Sequence, residues 1–145
     1  MGMRWVLVLV VAVAGLYGWS RTGERAFTRE MAQVAARNAS GFVPVVMPAN
    51  APARTVWVFA PQNCPTEAAA RADGLAKALR AEGIPVQRAS SLSIQITQPD
   101  EDTKQRLKRL DAVMKGTIPA VLIDGMGKAN PSVDEVIREF RRTRG

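Results

Sequence analysis

Thr55-Val56-Trp57-Val58-Phe59-Ala60 runs for six residues without a charge and without alternation of apolar and polar side chains. A strand with one wet face alternates, whereas a short run of apolar and β-branched residues throughout belongs to a strand covered on both faces. Such a strand lies inside a sheet, and covering both of its faces takes helices. The rest of the chain has to supply them.

Helices and strands do alternate downstream. The spacing of Ala68, Ala72, Leu75 and Leu79 predicts a helix from about Pro65 to Glu82, stopped by Gly83. Ile84-Pro85-Val86-Gln87-Arg88 reads as a second strand, and Ser93-Ile94-Gln95-Ile96 alternates as a further short one. Thr97-Gln98-Pro99-Asp100 resembles a capping box that opens a helix with the stripe Leu107, Leu110, Met114, ending before Gly116. Thr117 to Ile123 is a strand, and Asp124-Gly125 turns the chain toward a hairpin partner around Lys128. Ser132-Val133-Asp134-Glu135 is a full capping box for a last helix that buries Val133, Val136, Ile137 and Phe140. The expected fold class is α/β, a mixed sheet flanked by helices.

With 145 residues, 47% of them hydrophobic, the chain has material for one modest core. It contains no histidine and one cysteine, Cys64. Histidine triads, histidine-ligated zinc, thiolate metal centres and an internal disulfide are all excluded, so no metal or cofactor is expected. The net charge of +7 invites a nucleic-acid reading. However, Lys104, Arg106, Lys108 and Arg109 follow Asp100, Glu101 and Asp102, and Arg138, Arg141, Arg142 and Arg144 follow Asp134 and Glu135. Acid first and base last is what helix dipoles favour, and no recognition motif accompanies the charge. These are solvated helix faces, and no nucleic-acid partner is expected.

Trp5 to Trp19 is uncharged and preceded by Arg4. As a helix it rises about 22 Å, short of the ~30 Å hydrocarbon core unless its flanks help. Two readings of residues 1–20 fit. Trp5, Tyr17 and Trp19 suit the interfacial ends of an uncleaved anchor, and Gly18-Trp19-Ser20 suits a signal-peptide cleavage site. Either directs export, so the expected location is the inner membrane with the domain on the periplasmic side, or a secreted, periplasmic product after cleavage. The arginines at 21, 25, 29 and 37 argue for the opposite orientation by the positive-inside rule. Residues 21–41 read as an amphipathic helix with Phe27, Met31, Val34 and Ala35 on one side and Gly41 as its stop. It either leaves the membrane or packs on the domain. The prolines at 44, 48 and 52 make residues 42–53 an extended Pro/Ala linker, and the globular domain is expected over 54–145.

Cys64 follows the first buried strand and precedes Pro65, a residue suited to the first helical position. Read as the N-cap, its sulfur faces unpaired N–H groups and the positive end of the helix dipole, which favour thiolate. Pro119 stands at the head of a strand, where a cis proline in a tight bend is a known device. With the active-site segment Phe59-Ala60-Pro61-Gln62-Asn63-Cys64-Pro65 and with Thr117-Ile118-Pro119 ahead of the Gly125 turn, the region from Arg54 to Arg142 resembles the thioredoxin-like superfamily, glutaredoxins in particular. The resemblance implies a thioredoxin-like fold with Cys64 as nucleophile, Pro119 as the cis proline facing it, and Pro65, Thr66 and Ile118 as flanking binding residues.

The departures from that pattern bear on the chemistry. Cys64-Pro65-Thr66-Glu67 has Glu67 where the resolving cysteine stands in the dithiol members, so a mixed disulfide at Cys64 needs an outside thiol for release. Gly125-Met126-Gly127-Lys128 does not match the glutathione-binding glycine pair and its acidic residue. Glu67 opposes a thiolate by like charge, or caps the Cys64 N–H. The expectation is a membrane-tethered exported module that binds partner proteins. The alternative is monothiol thiol-disulfide exchange, through a mixed disulfide at Cys64. Trp57 reads as core rather than a ligand platform, Met114 and Met126 as gap-fillers, and Asp124 as a turn residue rather than a general acid.

Overall fold

The computed structural model describes residues 22–61 and 66–144. The apolar segment at Trp5–Trp19, together with Cys64 and Pro65, lies outside the described residues. Residues 22–36 are helical (α1). They are followed by β1 (Val43–Pro44), β2 (Val56–Phe59), α2 (Glu67–Ala81), β3 (Val86–Ala89), α3 (Glu101–Lys115), β4 (Ala120–Ile123), β5 (Met126–Ala129) and α4 (Val133–Arg142). The strands form one mixed sheet in the order β1-β5-β4-β2-β3. Only β2 and β3 are parallel, and α2 makes the crossover that a parallel pair requires.

The period-2 geometry of the central strands sorts their side chains between two apolar layers. Val56 and Val58 of β2 join Val121 and Ile123 of β4 on the side covered by α2 and α4, which contribute Ala72, Leu75, Leu79, Val136 and Phe140. Phe59 joins Ala120 and Leu122 on the other side, under Leu110 and Val113 of α3. Trp57 packs against this second layer and stacks on Phe59, with ring centroids 6.0 Å apart and planes 17° apart. The uninterrupted apolar run is thus explained by two helical covers.

Of the two placements open to α1, the structure shows packing on the domain. Met31, Val34 and Ala35 lie against the second layer, and Glu30 pairs with Arg109 of α3 at 3.1 Å. Among the described residues, no helix is long and apolar enough to cross a membrane.

Several sequence readings shift. Residues 42–45, expected in a free connector, are part of the fold: Phe42, Val43 and Val45 are 0, 3 and 2% exposed, and β1 pairs antiparallel with β5. The apolar content of this stretch outweighs its prolines, since Pro44 is compatible with an edge strand. Ser93–Ile96 forms no ladder with the sheet; its only backbone bond among the described residues is Ala49 N–H to Ser93 O, 2.9 Å. Thr97 does not cap α3. Asp100 does, accepting the Thr103 N–H at 2.7 Å, because Pro99 disfavours helical geometry in the residue before it. The pairing with Thr103 holds the Asp100 carboxyl below its usual range.

The Ser132 capping box is present in full: Ser132 Oγ accepts the Glu135 N–H at 3.3 Å, and Glu135 accepts the Ser132 N–H at 2.9 Å. Ser132→Ala should lower unfolding free energy by about 1 kcal/mol in a urea titration. An unchanged midpoint would remove the box from the account of α4.

Candidate binding groove beside Pro119

Register places Pro119 at the end of the sheet where β2 gives way to α2. Phe59 pairs with Ala120, so Pro119, one residue earlier on the antiparallel strand, stands across from Ala60. The Ile118–Pro119 peptide bond is cis. The Pro119 carbonyl accepts the N–H of Asn130 at 2.7 Å, tying the head of β4 to the link between β5 and α4. Ile118 packs on the α2/α4 layer, and its carbonyl accepts from Arg71 Nη2 at 3.3 Å.

The helix on the other side starts later than expected. Thr66 is the N-cap of α2, extended at φ −104° and ψ 156°, with its carbonyl accepting the N–H groups of Ala69 and Ala70. Cys64 therefore stands ahead of the N-cap, as does Pro65. Thr66 has the extended backbone of an N-cap, and its side chain makes no capping bond. With Thr66 in that position, Glu67 is the first helical residue and not the third, the position a capping box would need. It is largely exposed and pairs with Arg71 at 3.3 Å.

Ile118, Pro119 and Arg71 thus come together, and Thr66 begins the helix that carries Arg71. Between α2 and the start of α4 lies an open groove of about 230 Å³, lined by Arg71, Gly74, Leu75, Pro119, Asn130 and the first residues of the α4 cap. Gly74 lines it without a side chain. Glycine inside a helix costs about 1 kcal/mol relative to alanine, and a Cβ here would meet nothing within 4 Å. The helix gives up stability at this point and leaves room on the groove side. Sequence reasoning did not single out Gly74, Arg71 or Asn130. The isolated glycine within the helical pattern was the one signal in the sequence for this groove, and it was passed over.

The remaining candidates lie elsewhere. Asp124, with φ +42°, is at the opposite end of β4, where its Oδ1 accepts the Arg54 N–H at 2.8 Å: a turn residue. Met114 packs in the α3 layer and Met126 against the α2/α4 layer. Among the described residues, no group of three or more His, Cys, Asp or Glu side chains could hold a metal ion.

A polar cluster that sequence reasoning missed joins the end of α1 to α4. Glu139, 0% exposed, accepts from Asn38 Nδ2 (2.9 Å), Ser40 Oγ and Arg142 Nε (3.1 Å). Burial acts to raise its carboxyl pKa, but the donors from Arg142, Ser40 and Asn38 outweigh it and hold it below the ordinary glutamate range. Lys128 bonds the Ser40 carbonyl (3.0 Å) and Glu135 (2.8 Å), so both ends of Ser40 are fastened to the body of the fold.

Comparison with family models, with curated proteins and with solved structures finds no match to this chain.

Proposed function

We propose that this chain is a membrane-tethered, exported thioredoxin-like module that binds partner proteins in the groove between α2 and α4. The thioredoxin-like reading is supported by a sheet compatible with that fold. A central β2 is flanked by parallel β3 and antiparallel β4, with α2 between β2 and β3 and α4 after the β4–β5 hairpin. The observation that carries the binding reading is the open groove beside Pro119 and Arg71, where Gly74, a helix-weakening residue, presents no side chain to fill it. A polypeptide suits the groove chemically, because apolar walls at Leu75 and Pro119 lie beside the polar Arg71 and Asn130. Residues 1–20 supply the tether or, if cleaved, a periplasmic product.

The alternative, monothiol exchange through Cys64, draws support from the α2 N-terminus. Its Thr66 side chain makes no cap bond, so nearby N–H groups are left to favour an anion. One experiment separates the two readings. A photo-cross-linking amino acid at Arg71, on the groove, is compared in membranes with the same group at Lys77, exposed on α2 and outside it. The binding reading expects an adduct from position 71 that survives Cys64→Ser and is lost with Gly74→Phe, which fills the groove. An adduct that is reducible and vanishes in Cys64→Ser establishes exchange instead. Equal labelling from both positions, or none from either, overturns the groove.

A further inference from the structure

The two edges of the sheet differ. On one side β1 ends the ladder at Pro44. On the other, β3 runs into Ser90–Gln98, nine residues without charge, proline or glycine, bounded by Arg88 before them and Pro99-Asp100-Glu101-Asp102 after them. The edge strand itself, β3, carries Arg88, whereas the stretch that continues from it outside the ladder has neither the charge nor the proline that usually blunts a strand open to pairing. Its exposure alternates: Ser91, Ser93 and Gln95 face out, while Leu92, Ile94 and Ile96 are half-buried, with Leu92 and Ile94 packed on the α3 layer. That is the pattern of a strand, yet among the described residues its backbone makes one bond, from Ala49 N–H to Ser93 O. In an extended chain the N–H and C=O of one residue point to one side and those of its neighbours to the other. The Ser93 groups face Ala49, so those of Leu92, Ile94 and Ile96 face away, and among the described residues none of them is hydrogen-bonded.

We infer that Ser91–Ile96 is the pairing strand of a twofold dimer, adding antiparallel to the same segment of a second copy with Ile94 opposite Ile94. This register satisfies the free groups, since Ile94 pairs with Ile94 and Leu92 with Ile96, each exchanging both backbone bonds. It places half-buried residues opposite half-buried ones and outward Ser93 opposite outward Gln95. The charges at its two ends fix the direction. Antiparallel pairing brings the Arg88 end of one copy, where Asp73 already holds Arg88 at 2.9 Å, toward the Asp100–Asp102 end of the other. Parallel pairing sets like charge against like. A twofold contact is self-complementary by construction, and this segment meets that condition without a foreign partner.

The test uses the full chain in detergent micelles, followed by sedimentation velocity across a concentration series. Ser93 and Gln95 face solvent, so charges there leave the fold intact, which thermal melts verify. Ser93→Lys with Gln95→Lys sets lysine opposite lysine twice and should weaken the dimer roughly tenfold or more. Ser93→Lys with Gln95→Glu sets lysine opposite glutamate twice and should restore it to at least the wild-type affinity. A monomeric wild type overturns the proposal. So does a dimer that responds equally to both variants, because it is then held by some other surface or by a foreign register.

Discussion

Phe42→Ala should destabilise the protein by about 3–5 kcal/mol, read as a fall in the urea midpoint with little change in slope. Phe42 is 0% exposed and sits in the α2/α4 layer with Val56, Val58, Leu75 and Leu79. Its removal leaves a cavity under the outermost strand. The size of the effect discriminates sharply, because truncating a residue in a free connector changes stability by no more than about 0.5 kcal/mol. Val45→Ala, on the opposite face of the same segment and 2% exposed, should cost about 1–3 kcal/mol. If both variants unfold like wild type, residues 42–45 do not belong to the core.

Glu139→Ala should cost about 2–3 kcal/mol, because Arg142 and the half-buried Asn38 Nδ2 lose their acceptor and the buried Ser40 Oγ is left with Asn38 Oδ1 at 2.7 Å alone. Arg142 is half exposed and recovers by hydration, so most of the loss comes from Asn38 and Ser40. Ser40→Ala removes one donor and leaves the carboxylate bonded to Asn38 and Arg142, for a smaller loss of about 1 kcal/mol. The pH dependence follows from the direction of the shift. The folded Glu139 carboxyl titrates below its unfolded value, so the unfolded chain binds the proton first as pH falls. Its contribution is complete above the ordinary glutamate range and disappears as pH drops through the lower folded value. Glu135 shifts the same way, since burial opposes its charge but Lys128 and Ser132 prevail. Stability of the wild type should therefore fall more steeply below about pH 4.5 than that of Glu139→Gln. Parallel profiles would show that Glu139 does not titrate with unfolding.

Much of this fold was legible because its signals are local. The apolar run at Thr55–Ala60, the Asp124-Gly125 turn and the Ser132 box each fix their element with a handful of neighbouring residues. The structure bears this out in β2, the β4–β5 hairpin and α4. What failed was settled at a distance. Phe42 reads as linker until β5, far along the chain, provides a strand for it to join. Glu139 reads as one more acid on a charged helix until Ser40 and Asn38 arrive with donors from about 100 residues away. Ser93–Ile96 shows the reverse case, a local strand pattern for which the fold provides no ladder. Beside the groove, Pro119 was singled out at the head of its strand and Ile118 by the family resemblance. Gly74 gains meaning only when α4 comes to lie across from it.

The orientation of β1 carries a last consequence. Val45 donates its N–H inward to Gly125, so the alternate residue, Pro44, directs its nitrogen outward, and that nitrogen has no hydrogen to offer. A newcomer approaching along this rim finds no donor at that position. With the proposed pairing at Ser91–Ile96 as the other point of growth, a single addition leaves no rim open, so crowding should not draw these molecules into fibrils.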